Sequence, residues 1–262
     1  MSTTETRPRV RAAGDVRALV GECPVPDGGR LLWVDVHGGN LHRTDPDSGE
    51  TETTEVGPPL PFAWPYDGGL LWARGLELRH DDRVVASLTG LPPGVERFND
   101  GVVDRDGRIW IGTMGAPGTA ALYRIDPGGE PVPVVTGVTI SNGVRFSPDG
   151  SRLYYADTPT GRIDVFDVEG GTLTGRRTFA EVGGPPDGLA VDGDGRVWVA
   201  VWGGGRVQAH APDGRLVRSV PLPVAYPTAC AFAEGRLFVT SASRPLGDQA
   251  GPLDGALLEV IL

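Results

Sequence analysis

The sequence predicts an all-β chain: a six-bladed β-propeller with four-stranded antiparallel blades. Three observations lead there. Glycine (40) and proline (24) are abundant among the 262 residues, yet 39% are hydrophobic, a turn-rich globular composition and not a disordered one. Apolar runs follow Asp-Gly turns, the strongest short-range hairpin signal. Those turns recur with a period near forty and leave room for about four short strands per unit, the spacing of a propeller blade.

Taken in order, residues 1–8 read as a polar tail, and Val10 to Val20 as holding one strand. The turns then fall at Asp27-Gly28, Asp67-Gly68, Asp106-Gly107, Asp149-Gly150, Asp194-Gly195 and Glu234-Gly235, at intervals of 40, 39, 43, 45 and 40. They lead into LLWVDV, LLWAR, RIWIGTM, RLYYAD, RVWVAVW and RLFVTSA, and most units then carry a second hairpin. Trp33, Trp72, Trp110 and Trp198 read as one repeat position that packs the blades. A blade cannot bury both faces alone, so the ring has to close. The strand between Val10 and Val20 is expected to complete the blade that holds Ala256 to Leu262, with residues 1–262 forming one domain.

Charge and motif content exclude several function classes. A net charge of −10 without a basic run argues against a nucleic-acid partner. No apolar run approaches the length of a membrane span, and MSTTETRPRVRA lacks the apolar core of a leader, so no membrane partner and a soluble cytoplasmic location are expected. Cys23 and Cys230 are too few for a disulfide framework and lack zinc-site spacing. The four histidines have no serine or cysteine elbow beside them, and the Gly203 to Gly205 run lacks the lysine of a phosphate loop. Oligomeric state is not encoded in any feature of the sequence.

The candidate chemistry lies where the first strand of each blade begins, because that strand lines the central channel. Asn99, Asn142 and Asp187 each stand seven positions before a turn aspartate, at Asp106, Asp149 and Asp194, and are expected to converge. Glu22, five before Asp27, reaches about the same level, while Phe62 and Pro227 supply apolar wall in the second and sixth blades. Any one of these polar residues is most often a turn former. Equivalent placement in three blades, plus Glu22, instead suggests an all-oxygen site for one divalent cation, Ca2+ before Mg2+, Mn2+ or Zn2+. Two acids buried together are costly without such a cation.

Several stretches carry a resemblance: GECPVPDGGRLLWVDVHGGNLHR, RFNDGVVDRDGRIWIGTM, SNGVRFSPDGSRLYYADTPTGRIDVFD, PDGLAVDGDGRVWVAVWGGGRV and PTACAF. Together, over roughly Gly21 to Leu262, they resemble the senescence-marker-protein, gluconolactonase and luciferin-regenerating-enzyme family, which includes regucalcin. The resemblance implies a six-bladed propeller and a metal-dependent lactonase acting on a small, oxygen-rich molecule. It implies metal ligands at Glu22, Asn142 and Asp187, a general base at Asp187, and substrate contacts from Arg97 and Asn99 of the RxND motif. Two departures stand out: no acid follows the GTM triplet from Gly115 to Leu122, and Pro26 replaces a tryptophan. The same site could also serve another reaction, such as cyclisation, dehydration or phosphotriester hydrolysis, or a calcium-binding propeller without catalysis.

Overall fold

The computed structural model describes residues 8–262; of the expected tail, residues 1–7 lie outside them. Six four-stranded antiparallel sheets form the six blades of the propeller. Their inner strands are Gly21–Asp27, Phe62–Tyr66, Val95–Val103, Ser141–Phe146, Pro186–Val191 and Pro227–Ala233, each the strand that enters a hairpin turn, as the sequence predicted. Neighbouring inner strands touch around the whole ring, the last against the first. The space between blades is filled by large side chains with almost no exposure, among them Trp33, Phe62, Phe98, Trp110, Tyr155 and Phe238. Burying each removes of the order of 2–3 kcal/mol of apolar exposure.

The sixth blade closes the ring. Its strands are Pro227–Ala233, Arg236–Ser241, Leu258–Ile261 and, from the start of the chain, Arg9–Ala12, which pairs in register from Arg9 with Ile261 to Ala12 with Leu258. The closing strand therefore lies at the beginning of the expected Val10 to Val20 stretch and stops before Ala13. Glu259, buried at 5% exposure, bridges the seam, with Arg11 at 2.6 Å and Arg236 at 2.8 Å; Arg236 also reaches Asp47 of the first blade at 2.6 Å.

The inner hairpins are of two kinds, and this corrects two expectations. Blades one, two and six turn tightly, pairing Asp27 with Arg30, Tyr66 with Gly69 and Ala233 with Arg236. Blades three, four and five use longer turns, pairing Val103 with Ile109, Phe146 with Leu153 and Val191 with Val197. In the third, Asp104 accepts the N–H groups of Asp106 and Arg108 and the Trp110 indole; Asp192 does the same for Asp194, Arg196 and Trp198 in the fifth. Counting from the turn thus slips between the two kinds. Trp110 and Trp198 share one rung, Trp33 and Trp72 the next, and a one-residue offset puts a side chain on the opposite face of a blade. Their indoles accordingly bond differently, Trp33 to the Thr44 hydroxyl and Trp72 to the Asp81 carbonyl.

The same slip moves the sixth-blade residue. Pro227 pairs with Ser241 as Pro186 pairs with Val201 and Ser141 with Asp157, so the residue level with Asp187 and Asn142 is Thr228, not Pro227.

Five inner strands carry a β-bulge at this level: between Glu22 and Val25, Phe98 and Gly101, Asn142 and Val144, Pro186 and Leu189, and Pro227 and Cys230. Only the second blade keeps an unbroken ladder there, and its residue on that rung is Phe62. An inserted residue bends the strand and re-aims the neighbouring side chain. A chain truncated to begin at Ala13 should lose its closing strand and its Arg11–Glu259 pair, lowering the thermal unfolding midpoint by roughly 5–10 °C. An unchanged melting curve would show that the seam does not hold the ring.

Candidate active site

Glu22, Arg97, Asn99, Asn142 and Asp187, contributed by blades one, three, four and five, all line one cavity of about 570 Å³ at one mouth of the channel. Its second tier comes from the ends of the second strands: Met114 in the last residues of its strand, and His37, Thr158, Trp202 and Arg244 just beyond theirs. Antiparallel pairing explains the tier, because a second strand ends at the mouth where its inner strand began. Of these, Met114 was within reach of the sequence argument; the others were not.

Two buried aspartates on equivalent rungs fix the segments entering the site. Asp35 accepts the N–H groups of Leu19, Val20, His37 and Gly38 at 2.8–3.2 Å. Asp157 accepts those of Thr139 and Ile140, at 3.2 and 2.9 Å. Val20 and Ile140 are held against the cavity in this way. Trp202 is braced by Tyr226, with ring centroids 4.9 Å apart.

A chain of hydrogen bonds sets the two amides without ambiguity. The Pro186 carbonyl can only accept, so the Thr158 hydroxyl donates to it at 2.9 Å and must itself accept from Asn142 Nδ2 at 2.9 Å. Asn142 Oδ1 is thereby turned toward Asn99, whose Nδ2 donates to it at 2.8 Å and to the Ser141 carbonyl at 3.0 Å. Arg97 Nη1, which can only donate, fixes the other side, reaching Asn99 Oδ1 at 2.7 Å and the Phe98 carbonyl at 2.8 Å. Asn99 therefore shows its amino side to its neighbours and its oxygen is occupied by Arg97, so its role differs from that of Asn142.

The acids sit deeper. Asp187 is 4% exposed and its Oδ1 has no hydrogen-bond partner among the described residues. Glu22 is half-buried and accepts the Cys23 N–H at 3.1 Å. Cys23 is held at φ 50° to aim that N–H, a left-handed backbone that few non-glycine residues adopt. Burial first, and then the nearby Asp100 charge, push the Glu22 carboxyl from its ordinary 4.5 to about 8, against the pull of the Cys23 N–H, Arg97 and Arg145. Asp187 is raised well above its ordinary 3.8, by burial first and then by the charges of Glu22 and Asp100. Asp100, third member of the RxND cluster, does not line the cavity; it lies 3.6 Å from Arg145, whose guanidinium stands over Trp64. Both thiols are pushed up by burial, Cys23 to about 12, which makes them poor nucleophiles.

Among the described residues no group of three or more His, Cys, Asp or Glu is placed to hold a metal. The donor set is two carboxylates and one amide oxygen. Those residues fit a hard divalent cation: an orphaned buried carboxylate oxygen on Asp187, a second acid, Glu22, whose charge opposes the ionisation of Asp187, and the Asn142 amide, whose oxygen accepts from Asn99 and keeps a second lone pair. A second cavity of about 510 Å³, beside the Asp106 and Asp149 turns, is lined by Arg108, which already pairs with Asp104, Asp106 and Asp126.

The electrostatics fix a sign for the metal-free protein. The folded state keeps protons on Glu22 and Asp187 that the unfolded chain releases above pH 4–5, so this contribution to stability falls as pH rises toward 8. Thermal melts in chelator should show the midpoint dropping over pH 5–8. Glu22→Gln should flatten that drop, and added Ca2+ should raise the midpoint more at pH 8 than at pH 5. Parallel profiles for the wild type and Glu22→Gln would refute the burial argument.

Comparison with known proteins places the chain. Residues 20–243 match the family model described as SMP-30/Gluconolactonase/LRE-like region. The chain is 36% identical to a 6-deoxy-6-sulfogluconolactonase of Pseudomonas putida, over 86% of this chain and 84% of that protein. It is 34% identical to the pentonolactonase XacC of Haloferax volcanii, over 92% and 87%. The crystal structure of a calcium-binding protein, regucalcin, from Agrobacterium tumefaciens superposes with a TM-score of 0.84 at 29% identity, covering 97% of this chain and 93% of that one. The chain thus belongs to the SMP-30/gluconolactonase/LRE-like family.

Proposed function

We propose that this protein hydrolyses a small γ- or δ-lactone with the help of one divalent cation, Ca2+ by preference, held by Glu22, Asn142 and Asp187. The observation that carries the reading is the pair of raised carboxyls from blades one and five on one cavity, in a chain whose relatives include named lactonases. Two buried acids, both with raised carboxyls, suit a dication, and the all-oxygen set suits a hard one. When bound, the cation supplies a Lewis acid for the lactone carbonyl and lowers the pKa of nearby water.

The chain's own residues carry the remaining steps. Asp187, through its unpartnered Oδ1, takes the proton of the attacking water as general base. The water oxygen bonds to the carbonyl carbon, the ring C–O bond breaks, and the alkoxide so formed takes the proton from Asp187, which restores the carboxylate. Above the product acid's pKa one proton is released per turnover. Arg97 has one nitrogen on Asn99 Oδ1 and the Phe98 carbonyl, which leaves its other N–H groups to orient substrate oxygens. Asn99 acts chiefly through that contact, holding the guanidinium and the Asn142 amide in place. Met114, Ile140 and Trp202 give the cavity an apolar wall that displaces water from the bound ring.

Proton release from a panel of γ- and δ-lactones, with the protein loaded with Ca2+, Mn2+ or Zn2+, tests the reading. Turnover is expected, and chelation should abolish it. Asp187→Asn should lower kcat/KM by roughly 10³-fold or more, and Arg97→Gln by about 10–100-fold with much of the loss in KM. A metal-loaded sample that opens no lactone would overturn the assignment, and full activity in Asp187→Asn would overturn the site.

A further inference from the structure

Resting on that lactonase reading, we propose that the lactone this site selects carries an anionic substituent, and that Arg244 is the residue that selects it. The protein as a whole is acidic, with a net charge of −10, yet the upper tier of the cavity holds the opposite sign. The acids lining the cavity are Glu22 and Asp187, the two that answer the cation; the same cavity is lined by Arg97 beside them in the first tier and by Arg244, with His37, in the second. A dication and two carboxylates cancel, so the guanidiniums of Arg97 and Arg244 leave the mouth positive. Neither makes an ion pair among the described residues: Arg97 is engaged by Asn99 and a carbonyl, Arg244 by a histidine.

Arg244 is held for this task. Its backbone N–H donates to the Leu19 carbonyl at 2.9 Å, Ser243 N–H to the same carbonyl at 3.1 Å, and Ser243 Oγ to the Ala18 carbonyl at 2.7 Å. Pro245 follows at once and restricts the backbone further. At the other end Arg244 Nη1 lies 3.0 Å from His37 Nε2, which must accept, so the imidazole is neutral with its proton on Nδ1. His37 is in turn fixed by its own N–H on Asp35. One of the five guanidinium donors is used to position the group, and the rest form a fork that matches a carboxylate, sulfonate or phosphate. His37 is a positioning residue and Arg244 the contact.

The rest of the cavity wall matches poorly with a string of hydroxyls. It offers Met114, Ile140 and Trp202, together with Thr158, whose hydroxyl is already spent on Asn142 and Pro186. The recognition element in the upper tier is therefore positive charge, a feature a neutral aldonolactone leaves unused.

The test compares kcat/KM of the Ca2+-loaded protein for neutral glucono-δ-lactone, 6-phosphoglucono-δ-lactone and a glucarolactone with a free carboxylate. At least one anionic lactone should be preferred by about tenfold or more, the two anionic arms separating phosphate from carboxylate. The preference should shrink as salt rises, collapse toward unity in Arg244→Gln, and return in part in Arg244→Lys. A wild type that favours the neutral lactone, or an Arg244→Gln variant that keeps the preference, overturns the proposal while the lactonase reading stands. Calorimetry with gluconate and glucarate reads the same contact without turnover. The dianion should bind about tenfold more tightly, an advantage lost in Arg244→Gln; equal affinities overturn the proposal, and unequal ones with no lactone opened overturn only the reaction.

Discussion

Like charges brought into one buried cavity repel, and the site is arranged around the repulsion between Glu22 and Asp187. Burial comes first for both carboxyls; the Glu22 charge then adds to the cost of ionising Asp187, and Asp100 adds to both. The compensations are all local and all directional: the Cys23 N–H turned toward Glu22 by a left-handed backbone, the Arg97 guanidinium alongside, and the Arg145 pair that restrains Asp100. None of them reaches Asp187 Oδ1. A fold that accepts this cost at the mouth of its channel leaves two acids whose charge only a cation would offset, which is the basis of the metal proposed above.

The scaffold makes such convergence inexpensive in sequence terms. Each blade sends one inner strand down the axis and returns a second strand to the same mouth, so a repeat can present two positions there without long loops, as blades one, three, four and five do. The first tier, from the starts of inner strands, is polar and repeats in kind. The second, from the exits of the second strands, is varied: a histidine, a methionine, a threonine, a tryptophan and an arginine. The two tiers are thus housed on different strands of the same blades, and one can change while the other is kept.

That division also explains what could be read from the sequence. The six blades, the ring closure and the inner-strand polar residues were legible, because turns and apolar runs recur with a period and Asn99, Asn142 and Asp187 lie in the three blades with long inner turns. Thr228 and the offset between the two tryptophan pairs were not, since the tight and long turns both read as acid-Gly in one dimension. Thr158, Trp202, His37 and Arg244 were hidden for another reason: they share a place in the fold but no residue type, so no periodicity marks them. The orientation of the Asn99 amide follows only from the hydrogen bonds running from Pro186 through Thr158 and Asn142, and such a network is invisible until the blades are assembled.

The unbroken ladder of the second blade has a consequence for how such a ring changes over time. Phe62 occupies the rung that elsewhere carries an oxygen, and its strand lacks the additional residue found in the other five. Exchanging Phe62 for an acid would put a charge on an uninterrupted strand, against the interblade packing. Recruiting that blade to the ring therefore calls for lengthening the strand by one residue as well as altering a side chain. The number of oxygen-bearing inner strands is therefore governed by insertion and deletion as well as by point substitution, and it should drift more slowly than the identity of the side chains they carry.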